Sequence, residues 1–183
     1  MATPKTGSFY LTESVQLNAL QGSGVASTAT IDLSAYVNVP TGQAIAITEV
    51  DFIWQRAGAF GQDAQSLLGG NGALCAQLTD LNPGTAMVRA DDQSLVASGA
   101  LNIDQTNNIA SHQVDIYPDN FGPNSLSEAF IVVNDQLYLT GMPSGTAVGA
   151  DNVFLTARIR SQVVKLSTKD WMAVAIQATA ADN

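Results

Sequence analysis

The sequence has few positive charges. Lysine and arginine together number 7, against 16 aspartates and glutamates, so the formal net charge is −9 at pH 7. Binding to nucleic acid through its phosphates requires clustered basic side chains. The charge balance therefore argues against a protein that binds nucleic acid directly.

Cysteine and histidine are almost absent as well. Cys75 is the sole cysteine, which excludes an internal disulfide, and His112 is the sole histidine. Structural zinc sites use four Cys or His ligands, so the usual zinc spacings are missing. Cys75 is interpreted as a small buried hydrophobe, and His112, which precedes a predicted strand, as an exposed or edge residue.

Segments for export or for crossing a membrane are also lacking. Residues 1–6 contain no apolar region typical of a signal peptide. No run of about 18 uncharged apolar residues occurs, which is the length that a spanning helix needs. We therefore expect a soluble chain that is made in the cytoplasm.

Charged residues of either sign make up only 13% of the chain, against about 25% in a typical soluble protein. A surface of small and neutral polar residues is easily desolvated when a partner docks, because few ions lose their water. The same composition is typical of an ordinary neutral β surface, and both interpretations stay open.

What the sequence does have is period-2 alternation of apolar and polar residues in many short segments, which is typical of β-strands. Turn signals separate these segments every ten to fifteen residues. The predicted strands are 9–20, 28–33, 44–55, 73–79, 86–90, 93–97, 113–117, the two halves of 130–139, and 152–166. Residues 98–111 are predicted to be irregular, and 130–139 to be a hairpin or a bent strand.

About eight to ten strands and one helix predict an all-β fold. We expect an antiparallel β-sandwich, and specifically a single jelly roll, which is the variety built from about eight strands. One domain is expected over 1–183, preceded by a flexible N-terminal arm at 1–8.

The alternation is clearest in 44–55. One set of alternate residues carries no charge and ends in two aromatics, so we expect it to face the core and to bury Phe52 and Trp54 together. The residues predicted to face the core are Ala44, Ala46, Thr48, Val50, Phe52 and Trp54. The residues predicted to face away are Ile45, Ile47, Glu49, Asp51 and Ile53.

One helix is predicted near the C-terminus. Ser167 is followed three residues later by Asp170 and then by an apolar run, which is a typical helix start. Trp171, Val174 and Ala175 should lie on one face, with Ala178 continuing it, and the helix should end by residue 181.

Catalytic motifs are missing. No Gly-x-Ser-x-Gly elbow occurs, and the glycine-rich 69–72 lacks the Lys and Ser or Thr of a phosphate-binding loop. The acid pairs Glu49/Asp51 and Asp91/Asp92 could serve glycoside hydrolysis or bind calcium, but a solvated strand face is the commoner explanation. We expect no enzymatic activity, no cofactor and no metal.

The basic residues are unevenly placed. Arg158, Arg160, Lys165 and Lys169 are four of the seven and fall within twelve positions. Alternation along 152–166 places the two arginines opposite the core face, so they are predicted to pair with carboxylates of a neighbouring subunit. The alternative is that they are solvated or pair within their own chain.

The C-terminal third carries a resemblance to a known family. The segments concerned are 132–139 (VVNDQLYL), 153–160 (VFLTARIR) and 164–171 (VKLSTKDW). They resemble the end of the small single-jelly-roll major capsid proteins of tailless icosahedral viruses of archaea and bacteria with an internal membrane. The resemblance covers about fifty residues. It implies upright barrels in hexagonal capsomers over a lipid vesicle, often with a second capsid protein, and a location in the virion after synthesis in the host cytoplasm.

The predicted function is therefore a structural capsid protein that assembles with copies of itself. The alternative is a carbohydrate-binding β-sandwich, which usually exposes several aromatics on one sheet. Trp54 and Trp171 instead fall on faces assigned to the core. A small β-sandwich enzyme is a third class, for which the sequence offers no catalytic set.

Overall fold

The computed structural model describes residues 2–58, 63–116 and 129–180. Within these ranges the chain forms ten strands, two short 3-10 helices and one α-helix. The strands are β1 (Thr3–Pro4), β2 (Phe9–Leu17), β3 (Ser27–Asp32), β4 (Gln43–Arg56), β5 (Gly72–Thr79), β6 (Leu95–Asp104), β7 (Ile109–Ile116), β8 (Phe130–Val132), β9 (Gln136–Ser144) and β10 (Val153–Lys165). The helices are 3-10 segments at Val39–Thr41 and Ala64–Leu67, and α1 (Thr168–Ala180).

The strands form two antiparallel sheets. In the first sheet the order is β2-β10-β4-β8, with β1 beside β2 along the same edge of β10. In the second sheet the order is β3-β9-β5-β6-β7. Strands 2-10-4-8 facing strands 3-9-5-6 is the arrangement of the jelly roll, and β7 adds a strand beside β6. The predicted antiparallel sandwich, its jelly-roll form and its one short C-terminal helix are confirmed.

The main core lies between the two sheets. It is filled by aliphatic side chains from the inner faces of both, which alternate with outward residues along each strand. Its fully buried members include Leu17, Val50, Leu155 and Ile159 of the first sheet and Leu74, Leu78, Leu137 and Leu139 of the second.

A β-bulge interrupts the pairing of β4 with β10. Arg160 lies opposite Glu49, and the next residue, Ser161, lies opposite Ile47. Thr48 is therefore the extra residue of the bulge, with no partner residue on β10. An extra residue in one strand reverses which face the following side chains occupy. The two halves of β4 therefore present opposite sets of residues to the core.

Because of this bulge, part of the alternation predicted for β4 is wrong. Val50 and Phe52 face the main core as expected, and the half-buried Trp54 packs against it. Before the bulge, however, Ile45 and Ile47 face the core, and the expected core residues do not. The residues of that half that lie on the outer face are Ala44 and Ala46.

Helix α1 covers that outer face. It forms a second apolar cluster with Ala44, Ala46, Val133, Val164 and Leu166, into which Trp171, Val174 and Ala175 pack. Ser167 caps the helix, because its Oγ accepts a hydrogen bond of 3.2 Å from the backbone N–H of Asp170. The predicted start and packing face are confirmed; the side chain of Ala178 is outside the described part.

Three predictions of local structure are wrong. Residues 86–90 form no strand, and most of 98–111 belongs to the β6–β7 hairpin. The segment 130–139 is neither a hairpin nor one bent strand, because residues 133–135 interrupt it and β8 joins the first sheet and β9 the second. Only in the last case does pairing with strands distant in sequence determine the structure: β8 pairs with β4, and β9 pairs with β3 and β5.

The N-terminal segment lies along β10. Thr3 is opposite Lys165, and Lys5 donates its backbone N–H to the Val163 carbonyl at 2.8 Å. Gln162 Nε2 donates to the Thr6 carbonyl. The mobility of the predicted arm at 1–8 and the single-domain boundary at 1–183 stay predictions.

Candidate subunit interface

The outer face of the first sheet carries the two arginines that the sequence singles out. Leu155, Ala157 and Ile159 of β10 are completely buried. The residues between them therefore point outward, so Arg158 and Arg160 lie on the face predicted for them. Arg158 is exposed and Arg160 is partly exposed.

Arg160 has a carboxylate partner in its own chain. Its Nη1 lies 3.5 Å from Glu49 Oε2, directly across the β10–β4 pairing. Both side chains are partly exposed, so the pair contributes only about 0–1 kcal/mol to stability. One member of the Glu49/Asp51 acid pair is thus engaged by an arginine on an outward strand face.

Arg158 has an aromatic partner. Its guanidinium carbon lies 4.9 Å from the centroid of the Tyr10 ring, which is half exposed on β2. A cation over an aromatic face at an exposed site is worth about 0.5–1 kcal/mol. Asp51 is opposite Arg158 on β4. Pairing of the arginines with a neighbouring subunit stays a prediction.

Residues with metal or nucleophile chemistry are scattered. Among the described residues, no group of three or more His, Cys, Asp or Glu side chains could hold a metal ion. His112 is exposed on β7, as predicted. The prediction that Cys75 is buried is wrong, because Cys75 is only half-buried. Leu74 and Ala76 take the inward positions of β5 and leave Cys75 on the outward face.

The structure contains a buried carboxyl group that no pattern in the sequence indicated. Asp80, just after β5, is 3% exposed, and its Oδ1 has no hydrogen-bond partner among the described residues. Burial raises the pKa of Asp80 to about 7, its own backbone N–H lowers the value, and Asp92 raises it further. The Asp80 backbone also joins two loops, because its N–H donates to Ser94 and its carbonyl accepts from Asn134 Nδ2.

A surface cleft was also not found from the sequence. It has a volume of about 660 Å³ and lies between the 3-10 helix Val39–Thr41 and the start of α1. Its walls are mostly apolar, and Lys165, Ser167 and Thr168 supply polar groups. The segments that form it are more than a hundred residues apart, so no local pattern could reveal it.

Exposed large apolar side chains are a third feature that no pattern in the sequence indicated. Most lie in loops and on the outside of α1, where no strand alternation marks them. The exposed large hydrophobic residues of the described ranges are Tyr10, Leu20, Val25, Val39, Ile109, Met172 and Ile176. No helix within those ranges has the length and apolar character to cross a bilayer.

Comparison with known proteins finds similarity in structure alone. No family model and no curated protein matches the sequence. Among solved structures, VP1 of Trichodysplasia spinulosa-associated polyomavirus, in complex with sialylated glycooligomers, is 10% identical with a TM-score of 0.42, over 89% of this chain and 98% of that one. The VP1 pentamer of Human Polyomavirus 6 is 11% identical with a TM-score of 0.40, over 91% and 98%.

A chain of Mud Crab Dicistrovirus is 12% identical with a TM-score of 0.39, over 88% of this chain and 70% of that one. The assignment of the fold does not depend on these similarities. The order of strands in the two sheets, 2-10-4-8 and 3-9-5-6, identifies the chain as a single jelly roll.

Proposed function

We propose that this chain is a structural capsid protein that builds a virion shell through contacts between copies of itself. A fold alone does not establish a function, so the proposal rests on the surface of this jelly roll. Within the described ranges that surface exposes seven large hydrophobic side chains, on a chain with only 13% charged residues, and two of the seven, Val39 and Met172, line the same cleft. Contiguous exposed apolar surface is typical of interaction sites.

The finer parts of the proposal come from the resemblance of the C-terminal third. They are a virus of archaea or bacteria with an internal membrane, a location in the virion after synthesis in the host cytoplasm, and a second capsid protein as partner. The proposal also includes contact with the viral membrane through the surface of the folded chain and without a transmembrane segment. That the chain has no enzymatic activity stays part of the proposal.

Arg158 and Arg160 are proposed as contact residues of the shell. Arginine holds a carboxylate with two parallel hydrogen bonds, and neighbouring copies with a net charge of −9 supply carboxylates in excess. Arg158 is the better placed, because its described partner is an aromatic ring and not a carboxylate. The Arg160–Glu49 pair would extend into a network with a carboxylate of the neighbour.

The carbohydrate-binding alternative receives less support. Both tryptophans are half-buried: Trp54 packs against the main core, and Trp171, on α1, packs against the second apolar cluster. Tyr10 is the exposed aromatic of the described ranges, and Arg158 occupies one side of its ring. A row of exposed aromatics on one sheet, which such a module uses, is therefore not formed by these residues.

Light scattering after size exclusion tests the proposal. The wild-type chain should form defined oligomers as concentration rises, and electron microscopy should show capsomers or shells. A chain that stays monomeric over the whole range, at low and high salt, would contradict the proposal. Specific binding of that monomer to an oligosaccharide array would establish the alternative.

A further inference from the structure

The loop between β5 and β6 lies on the outer face of the second sheet. Gln77 points outward from β5, because Ala76 and Leu78 on either side of it are buried in the main core. Its side chain forms two hydrogen bonds with the backbone of Val88 in the loop, donating to the carbonyl at 2.7 Å and accepting from the N–H at 2.9 Å. Gln77 is only 9% exposed, so the loop covers it. We call residues 81–93 the flap.

The flap contributes nothing to either apolar cluster. The structure describes all of its residues, and none of them is buried or belongs to a strand or helix. A segment with few buried apolar contacts can open locally at a much lower free energy than the whole domain needs to unfold. The flap is therefore a part of the chain that can move while the sandwich stays folded.

Asp80 lies at the base of the flap. It is 3% exposed, and its Oδ1 has no hydrogen-bond partner among the described residues. Its backbone N–H donates to the Ser94 carbonyl at 3.0 Å, and its carbonyl accepts from Asn134 Nδ2 at 2.9 Å. The carboxyl group is thus enclosed where the two ends of the flap meet the connection between β8 and β9. Burial of an ionised carboxylate without a partner is costly, so this position favours the protonated form.

The charges around Asp80 also favour its protonated form. Asp92 is held at the other end of the flap, where its Oδ1 accepts from the Ser94 N–H at 2.9 Å and from Ser94 Oγ at 2.7 Å. Burial raises the pKa of Asp80 most, and the charge of Asp92 raises it further, because two ionised carboxylates repel. The charged or titratable residues of the segments that meet at Asp80 are Arg89, Asp91 and Asp92 of the flap, Asp135 of the β8–β9 connection and Tyr138 of β9.

We propose that the flap is a pH-dependent switch, which lies closed on the second sheet while Asp80 is protonated and is released when Asp80 ionises. Ionisation places two like charges, on Asp80 and Asp92, at the base of the flap. Lifting the flap brings water to the carboxylate without removing any buried residue of 81–93 from the core. Release also uncovers Gln77 on the outer face of the sheet. The switch is a property of the single chain and does not depend on the proposed function.

The direction of the response follows from proton binding. The pKa of Asp80 is about 7 with the flap closed, against an ordinary value of 3.8 for an aspartate in water. The closed form therefore holds the proton more tightly, and the opening equilibrium of the flap increases as the pH rises toward 7 and beyond. These two values give an increase of about tenfold in that equilibrium between pH 6 and pH 8.5.

Trypsin cleavage after Arg89, which lies in the flap, measures the opening. Where opening and closing are fast, the rate of proteolysis follows the population of the open form. The rate for wild type is divided by the rate for Asp80→Asn at the same pH, which cancels the pH dependence of trypsin itself. Because the asparagine stays neutral, this ratio should rise about tenfold between pH 6 and pH 8.5.

Two further variants of the flap complete the experiment. Asp91→Asn is the matched control, since it removes an exposed carboxylate beside the cleavage site, and the ratio of wild type to this variant should not change with pH. Asp92→Asn keeps an oxygen for the bonds from Ser94 but removes the repelling charge. The ratio of wild type to Asp92→Asn should therefore rise with pH, by less than tenfold, and it tests the switch even if Asp80→Asn does not fold.

A second trypsin site distinguishes release of the flap from unfolding of the sandwich. Arg158 lies in β10, which is paired with β2 on one side and β4 on the other, so cleavage there requires the first sheet to come apart. At pH 8.5 mass spectrometry of the first fragments should show cleavage after Arg89 and not after Arg158. Equal rates at the two sites would mean global unfolding and would overturn the proposal, as would ratios of wild type to Asp80→Asn and to Asp92→Asn that do not change with pH.

Discussion

Ala46 and Ile47 are neighbours on β4 and both are completely buried, but they belong to different apolar clusters. Ile47 lies in the core between the sheets, and Ala46 lies under α1 on the opposite face. A strand covered on both faces carries no alternation of apolar and polar residues. The bulge at Thr48 then shifts the pattern for the rest of β4.

Substitution of Ile47 tests this reversal of faces. Ile47→Ala should lower the free energy of unfolding by about 2–5 kcal/mol, because it leaves a cavity in the main core. Ile53→Ala, on the same strand but only half-buried, is the control and should cost clearly less. Urea denaturation measures both. Equal losses for the two variants would mean that Ile47 does not lie in the core.

Substitution of Trp54 tests the packing at the other end of β4. A Cβ added to Gly141 would lie 3.6 Å from Trp54 Cη2, so the indole occupies the space above that glycine. Trp54→Ala should lower the free energy of unfolding by about 3–5 kcal/mol, and Trp54→Phe by less. A loss below about 1 kcal/mol for the alanine variant would show that the indole contributes little to the core.

The buried carboxyl of Asp80 predicts a dependence of stability on pH. Its folded pKa of about 7 lies above the ordinary value of 3.8 for an aspartate, so the native chain holds the proton more tightly than the unfolded chain. Stability from this group is therefore present below about pH 4 and is lost as pH rises to about 7. Asp80→Asn, which stays neutral, should be more stable than wild type at pH 8.5.

The control for Asp80 is Asp135→Asn, which removes an exposed carboxylate from the neighbouring corner. Thermal unfolding at pH 4.5 and pH 8.5 gives the comparison. The Asp80→Asn variant should gain stability relative to wild type between the two values. If its difference from wild type is the same at both, Asp80 is not protonated in the folded chain.

The two outward arginines should affect assembly more than folding. Arg158→Gln and Arg160→Gln should each lower the free energy of unfolding by no more than about 1 kcal/mol, because their contacts within the chain are exposed. The double variant should assemble more weakly than wild type, and the difference should shrink at high salt. Arg89→Gln changes an exposed arginine outside this face and is the control. Unchanged assembly of the double variant at all salt concentrations would remove both residues from the interface.

The sequence by itself determined the features that depend on local periodicity. The β class follows from alternation within single strands, as in β10, where it also placed Arg158 and Arg160 outward. The start of α1 follows from the capping pattern at Ser167. These features involve residues within a few positions of each other, whose geometry the backbone sets directly.

Only the tertiary structure decided which strands pair and what lies between them. β8 and β9 are separated by three residues but belong to opposite sheets, and the bulge at Thr48 exists only relative to β10. The burial of Asp80 and the cleft beside α1 arise where segments distant in sequence meet. Such contacts are selected by the packing of the whole core, in which each strand's environment depends on the positions of all the others, so no single segment encodes them.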